Sequence, residues 1–293
     1  MTRHGMIGSP SHWLVALAAL AWAGCGDDDD DTSQDEAPIL DPEPPGSPSE
    51  VVGAGSVDFE ISCLGDNSQP DPNGTNLTLP GWIRDWNDPT NDGGVQPEAD
   101  AEAYDEVSTL GTSSSDIGNG RVAISVPVEE TGFVGTVRVT ADDYLEQHFR
   151  VSRPVTTTKT AGWMWLVRQS DVDAVAAEAD IEVDPDRAIV VGAVHDCLGF
   201  GYSNAIIRWG DSTDGVLYFD GFTPAPERTF TAESGRFAIA GVPEGPLTVE
   251  AYGRLDGSGQ SAGPLTLLGR IDIEVSTSYV SAIALEPRVG VER

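Results

Sequence analysis

The residues of this chain that could carry chemistry are few, and their spacing separates them into different uses. Thiols are acylated, oxidised or bound to metals, imidazoles transfer protons, and clustered Asp and Asn oxygens bind Ca²⁺. Of the three cysteines, Cys63 and Cys197 lie in the body of the chain, whereas Cys25 stands between an apolar run and five aspartates (AWAGCGDDDDD, residues 21–31). This placement predicts that Cys25 does not pack in a core and that its thiol has a different role from those of the other two cysteines.

The segment before Cys25, residues 1–24, predicts an export signal. Arg3 precedes an apolar run of 11 residues, 13–23, which ends in small residues. A membrane-spanning helix needs about 20 apolar residues, so this run is too short to span a bilayer. A weakly basic start, a short apolar stretch and small residues at its end are typical of a secretory signal peptide. An ordinary signal followed by an incidental cysteine is the alternative interpretation.

The sequence at Cys25 resembles the lipobox of bacterial lipoproteins, in which the cysteine thiol receives a diacylglyceryl group and the signal is cut just before it. The family pattern prefers Leu, Val or Ile three positions earlier, where this chain has Trp22. The resemblance implies lipidation of Cys25 and export to a bacterial membrane, with the outer membrane or the cell surface favoured. Two or more acyl chains anchor a protein stably, so the implied partner is the lipid bilayer.

Residues 25–54 have the composition of a spacer. Between residues 26 and 50, ten of the 25 residues are acidic, five are Pro and none is Lys or Arg. Such a segment buries too little apolar surface to fold, and its charges repel one another. We therefore predict a disordered, acidic, Pro-rich spacer.

The net charge narrows the classes of partner. The chain carries 16 Lys and Arg against 48 Asp and Glu, a formal charge of -32. This excess argues against nucleic acid and against anionic headgroups as ligands. An unidentified envelope or extracellular protein, or a glycan, is the partner class that fits.

The strand pattern predicts an all-β fold. Short segments rich in β-branched and aromatic residues are separated by turn residues, and in RVAISV (121–126) apolar and other side chains alternate. This pattern is typical of antiparallel sandwiches with one solvated face. We predict two tandem antiparallel Greek-key β-sandwich domains, 55–160 and 188–289, the first with an Asx-, Pro- and Gly-rich insertion. A linker at 161–187 contains a short helix capped by Ser170 or Asp171.

Short motifs recur in the same order in the two halves. They are CLG at 63–65 and 197–199, IR at 83–84 and 207–208, and GRVAI at 120–124 against GRFAI at 235–239. We interpret them as a duplication.

The second half resembles carboxypeptidase regulatory-like domains, which are transthyretin-like sandwiches. Their opening pattern, G-x-V-x-D-x-x-G before an apolar strand, and their central hairpin are matched at Gly192, Val194, Asp196, Gly199, Ala205, Gly235, Phe237, Ile239, Val242, Pro243, Gly245 and Val249. The resemblance implies this fold without an attached zinc peptidase, because the chain has no HxxE or HExxH motif.

Catalytic chemistry finds little support in the sequence, so we predict a non-enzymatic protein without a cofactor. His148 and His195 lie in a predicted strand and a predicted hairpin, where histidines usually pack rather than catalyse. GQSAG, around Ser261, matches G-x-S-x-G but is followed by Pro264 instead of a helix. A hydrolase with an unrecognised site, using His148, His195 or the loop at 85–94, is the enzymatic alternative.

Three weaker binding hypotheses stay open. The loop DWNDPTNDGG offers Asp85, Asn87, Asp88, Asn91 and Asp92 as oxygen donors for Ca²⁺, although Asx-rich turns also form without metal. The aromatic pairs Trp82 with Trp86 and Trp163 with Trp165 could stack on sugars in an adhesin, or pack in a core. Cys63 and Cys197 form a disulfide or are two buried thiols.

Taken together, these patterns predict a lipid-anchored envelope protein that serves as a structural or binding module. A carbohydrate- or protein-binding surface adhesin is the first alternative.

Overall fold

The computed structural model of the chain describes residues 40, 43–50, 52–53, 76–86, 97–105, 108–115, 120–127, 132–151, 154–155, 162–197, 199–255 and 263–286. They all belong to one compact unit, Glu36–Arg293. The predicted signal, Cys25, Cys63, loop positions 87–94 and Ser261 lie outside these residues. No helix in the part of the chain that the structure describes is long and apolar enough to cross a membrane.

Strands dominate these residues, which confirms the all-β prediction. The strands before the helix are β1 (Asn76–Asp85), β2 (Ala99–Tyr104), β3 (Thr109–Ser115), β4 (Arg121–Pro127), β5 (Thr136–Ala141), β6 (Gln147–Arg150) and β7 (Gly162–Leu166). Helix α1 (Gln169–Ala179) follows. The later strands are β8 (Ala188–Val194), β9 (Ala205–Trp209), β10 (Val216–Asp220), β11 (Thr223–Pro224), β12 (Arg236–Val242), β13 (Gly245–Arg254), β14 (Leu265–Val275) and β15 (Val280–Leu285).

The alternation read from the sequence sets which side chains face inward. In β4, Val122, Ile124 and Val126 are buried, whereas Arg121 and Ser125 are exposed. Because successive side chains of a strand point to opposite faces, this strand presents one apolar and one solvated side.

The strands form one large sheet and two small ones. The large sheet has nine strands in the order β11-β10-β12-β8-β15-β6-β5-β2-β3. The small sheets have the orders β4-β1-β7 and β14-β13-β9. Most pairs are antiparallel as predicted, but β1 with β7, β15 with β6 and β15 with β8 are parallel. Parallel neighbours require long connections, and a periodicity read along the chain does not reveal them.

Two hydrophobic cores lie on opposite faces of the nine-stranded sheet. One face carries, in register across four strands, Val137, Phe149, Ala282 and Val191. The opposite face carries a residue adjacent in sequence to each of these four, namely Arg138, His148, Ser281 and Val190. Val137 belongs to the core that β4-β1-β7 covers, and Val190 to the core that β14-β13-β9 covers. We call the described residues of 76–166 the first lobe and those of 188–286 the second lobe.

The lobes are therefore joined by backbone hydrogen bonds, at the pair formed by β6 and β15. We call this pair the junction. The segment 161–187 is not only a linker, because β7 completes a first-lobe sheet by pairing with β1. Helix α1 then covers the outer face of the second lobe, where Ala179 packs with Leu217 and Phe219.

The helix is confirmed, but its cap differs from the prediction. Arg168 occupies the N-cap, and the Asp171 carboxylate accepts a 2.7 Å hydrogen bond from the Arg168 backbone N–H. Asp171 therefore lies in the first turn, where a negative charge also faces the positive end of the helix dipole. The helix ends at Ala179, and its C-cap, Asp180, has a left-handed backbone with φ 54°.

Part of the predicted spacer packs against the second lobe. We call the described residues of 40–53 the strap. The backbone N–H of Leu40 donates to Leu265 O (2.9 Å), that of Val52 to Arg254 O (2.8 Å) and that of Gly53 to Ser203 O (3.1 Å). Two apolar residues hold the strap on the lobe, Leu40 and Val52, which are 8% and 2% exposed. The average composition of the acidic stretch gives no sign of them, because they are only two residues among many polar ones.

The repeated sequence motifs do not occupy matching places in the sheets. In the first lobe, β1 and β4, which carry IR and GRVAI, pair with each other. In the second, β9 pairs with β13 and β12 pairs with β8 and β10. An alternating apolar strand after a glycine turn suits many positions in a sandwich, so similar motifs need not imply equivalent pairing.

Candidate functional site: a Tyr–His–Glu cluster at the junction

Strand β6 places His148 at the junction. Its neighbours Gln147 and Phe149 share the face that carries the first core, so alternation directs His148 to the other face. There it lies beside Ser281 of β15 and Arg138 of β5. The histidine is thus held by strands from both lobes.

Both ring nitrogens of His148 have protein partners. Nδ1 lies 2.8 Å from the Tyr104 hydroxyl, and Nε2 lies 2.7 Å from Glu146 Oε1. Tyr279, immediately before β15, stacks on the imidazole with ring centroids 3.7 Å apart and planes 8° from parallel. The Tyr279 hydroxyl donates to Glu274 O at 3.1 Å. We call Tyr104, Glu146, His148 and Tyr279 the junction cluster.

Burial sets the protonation of this cluster. It lowers the pKa of His148, and the opposing hydrogen bond and charge of Glu146 do not offset it. Burial also raises the pKa of Tyr104. His148 is therefore neutral at pH 7. The assigned tautomer has Nε2–H donating to the Glu146 carboxylate, which leaves Nδ1 to accept from the Tyr104 hydroxyl.

A carboxylate, an imidazole and a hydroxyl in series could in principle move a proton. Two features favour a structural use here. Tyr279 covers a ring face, and the raised pKa of Tyr104 keeps its proton on oxygen. The cluster ties β2, β6 and the start of β15 together across the junction.

The structure does not bring the two histidines together. His148 pairs with Ser281 near the start of β15, whereas the backbone N–H of His195 donates to Leu285 at its end (2.8 Å). His195 is partly buried, forms a bridge with Gly201 and has a pKa lowered by burial. The two histidines therefore lie at opposite ends of β15 and do not share one site.

Asp85, the first residue of the predicted calcium loop, is occupied by protein groups. Its carboxylate accepts two hydrogen bonds from the Arg168 guanidinium (3.1 and 2.6 Å) and one from the Tyr144 hydroxyl (2.9 Å). Burial and Asp85 raise the pKa of Tyr144 to about 12, and the hydrogen bond with Asp85 raises that of Arg168. Among the residues described, no three His, Cys, Asp or Glu are grouped to hold a metal.

The Asp85–Arg168–Tyr144 network is not predicted by the sequence. Tyr144 and Arg168 lie 59 and 83 positions after Asp85 in the chain, so no local pattern links the three residues. The guanidinium also stacks 4.3 Å from the Tyr144 ring centroid. The network fixes the end of β1 to the start of α1.

The predicted sugar-stacking aromatics are engaged within the protein. Trp86 contacts Phe219 and Phe222 edge-on, at centroid distances of 5.8 and 4.9 Å. Trp82 is partly buried, and the Arg84 guanidinium lies 5.0 Å from its ring. The structure does not describe the side chain of Trp163. Trp165 packs on Phe222, with ring centroids 5.0 Å apart. Trp86 and Trp165 therefore pack against a second-lobe residue rather than form a free platform.

Cys197 follows β8 and is disulfide-bonded. The other two cysteines, Cys25 and Cys63, both lie outside the described residues, so the pairing of Cys63 with Cys197 stays a prediction.

A scan of protein-family models gives no match to the chain, and a search of curated proteins gives none either.

Proposed function

We propose that this chain is a bacterial lipoprotein, exported by residues 1–24, acylated at Cys25 and serving as a non-enzymatic structural or binding module of the cell envelope. The observation that carries the proposal is the strap. Leu40 contacts the second lobe, and Val52 enters its core. A lipid at Cys25 would thereby hold the folded body itself.

The shared sheet supports a module that acts as one piece. Strand β15 forms ladders with both β6 and β8, so backbone hydrogen bonds cross from one lobe to the other. A second contact lies on the face of the nine-stranded sheet that α1 covers. There the Arg236 guanidinium stacks 3.6 Å from the centre of the Phe222 ring and 5.9 Å from that of Trp165. Two independent contacts restrict hinge motion between the lobes.

We also propose that the second lobe is a carboxypeptidase regulatory-like domain, since its signature positions are under structural constraint. A Cβ on Gly192 would lie 2.6 Å from Phe237 Cζ, and one on Gly235 would lie 2.2 Å from Val194 O. Asp196 is 2% exposed and accepts from the Phe200 N–H at 2.9 Å. These positions support the resemblance in physical terms.

Protease shaving of intact cells tests the proposal, with Cys25→Ala as the control. The acidic segment before the strap should be cut in whole cells if the module faces outward, releasing a fragment that contains both lobes. Cleavage only after the outer layer is permeabilised would place the module in the periplasm. Cys25→Ala should leave the membrane fraction; its retention there would refute the lipid anchor.

A further inference from the structure

All strap contacts fall at one end of the second lobe. Strand pairing sets Ala205, Gly253 and Thr266 side by side. The backbone acceptors of the strap, Ser203, Arg254 and Leu265, adjoin these three residues. We call residues 203–205, 253–254 and 265–266, together with 195–197 and 199–201 of the turn before them, the strap end.

Side-chain hydrogen bonds and one ion pair strengthen the attachment of the strap. Arg254 Nε donates to Pro48 O at 2.7 Å, and its guanidinium pairs with Glu43. The Thr229 hydroxyl donates to Gly46 O at 2.5 Å. The strap is therefore tied down along its length, and the chain leaves it at Leu40.

The same end displays an exposed aromatic side chain. Phe200 lies three positions before Ser203 and is 46% exposed. No other large hydrophobic residue among those described is exposed. Its turn is held firmly: Phe200 N–H donates to Asp196 Oδ1 (2.9 Å), and Asp196 N–H donates to Phe200 O (2.7 Å). The disulfide at Cys197 lies in this turn. A fixed turn presents the ring at little entropic loss on binding.

The segment of chain between Cys25 and the strap is short. Leu40 follows Cys25 after 14 intervening residues. A coil of this length has a root-mean-square span of about 20 Å, and it cannot exceed about 50 Å when fully extended. A lipid at Cys25 therefore keeps the strap end near the bilayer.

The far end of the same strands has no exposed large hydrophobic side chain among the described residues. Val275 pairs with Gly245, and Trp209 lies at the far end of β9. Three acidic side chains project from that end, those of Asp211, Glu244 and Glu274, and all three residues are exposed. Exposed acidic residues also lie at the strap end, Glu50 in the strap and Glu233 beside the turn. The exposed Phe200 and the short tether, and not charge, therefore distinguish the strap end from the far end.

Resting on the proposed lipid anchor at Cys25, we infer that the strap end is the membrane-facing surface of the module and that Phe200 contacts the boundary between headgroups and acyl chains. A single phenylalanine would not hold a protein of net charge -32 on a membrane. The tether supplies a high local concentration, so a modest apolar contact suffices to orient the module.

Lipid-borne quenchers test this orientation. Phe200→Cys and Asp214→Cys, the latter in the turn after β9, are each purified with the native acyl anchor and labelled with a polar thiol-reactive fluorophore. They are reconstituted in vesicles of phosphatidylethanolamine and phosphatidylglycerol that contain a nitroxide-labelled lipid. We expect quenching at position 200 to exceed that at 214 several-fold. Equal quenching, or stronger quenching at 214, overturns the inference.

Co-sedimentation with the same vesicles separates the two proposals. If the chain sediments but the fluorophore at position 200 is not quenched, the lipid anchor is supported and the proposed orientation is refuted. Phe200 is then assigned to contact with a protein partner. A chain that does not sediment refutes the anchor and the orientation together. Unfolding midpoints of both variants equal to that of the parent chain establish that neither substitution has disturbed the fold.

Discussion

Val52 of the strap occupies the space that Gly253 of β13 leaves by having no side chain. A Cβ built on Gly253 would lie 2.0 Å from Val52 Cγ1 and 2.8 Å from Leu268 Cδ1. Contacts this close are not tolerated, so the glycine is what allows the strap to enter the second core. A residue of the predicted spacer and a residue of the predicted sandwich thus depend on each other.

Gly253→Ala should destabilise the second lobe by about 1–3 kcal/mol, the usual effect of overpacking a core. Val52→Ala should lower the free energy of unfolding by about 2 kcal/mol through lost burial. Because Val52→Ala vacates part of the space that the new Cβ needs, the double variant should lose less than the sum of the two. Strict additivity in urea unfolding would contradict the direct contact.

Replacing Asp85 should weaken the join between β1 and α1. Asp85→Asn removes the charge that holds Arg168, and we expect a loss of about 2–3 kcal/mol because the pair is largely buried. Asp184→Asn is the matched control. Asp184 pairs with Arg187 at 3.9 Å, and both side chains are about half exposed, so its loss should stay below about 0.5 kcal/mol. Similar unfolding midpoints for the two variants would contradict the structural role of the network.

His148 should make stability pH-dependent below neutrality. Its folded pKa is lower than the ordinary value of 6.5, so between the two values the unfolded chain binds more protons than the folded chain. The stabilisation is present above pH 6.5 and is lost as the pH falls toward the folded pKa. His148→Phe keeps a ring to stack on Tyr279 but cannot titrate. Comparing the free energies of unfolding at pH 7.5 and pH 5 should show a smaller decrease for this variant; an unchanged decrease would assign the effect to other groups.

Peptide mapping without reduction should recover a peptide pair that joins Cys63 to Cys197. The chain has three cysteines, Cys197 is disulfide-bonded and Cys25 is the proposed acylation site, so Cys63 is the remaining thiol. Converting both Cys63 and Cys197 to Ser should lower the free energy of unfolding by about 2–5 kcal/mol. Alkylation of Cys63 in the unreduced folded protein would contradict this pairing.

The sequence alone determined the local features of this protein. Alternation in β4 identified the buried positions Val122, Ile124 and Val126. The alanine-rich segment after Ser170 predicted the existence of α1, although the observed N-cap, Arg168, lies two or three residues before the predicted one. These succeed because strand and helix periodicities are properties of adjacent residues. The histidine of the junction cluster was also placed correctly in a strand.

Tertiary structure alone decided which distant segments meet. Strand β15 inserts between β6 and β8, which creates the junction and brings Tyr279 to His148. The pairing of β2 with β5 and of β5 with β6 brings Tyr104 to the same histidine. Leu40 and Val52 are two apolar residues in an acidic stretch. Val52 is buried because it fills the space beside Gly253, and Leu40 is buried because it packs with apolar residues of β9, β13 and β14. Many apolar strands could pair with one another on local grounds; complementary packing of whole faces selects the pairing, and that information is spread over residues far apart in the chain.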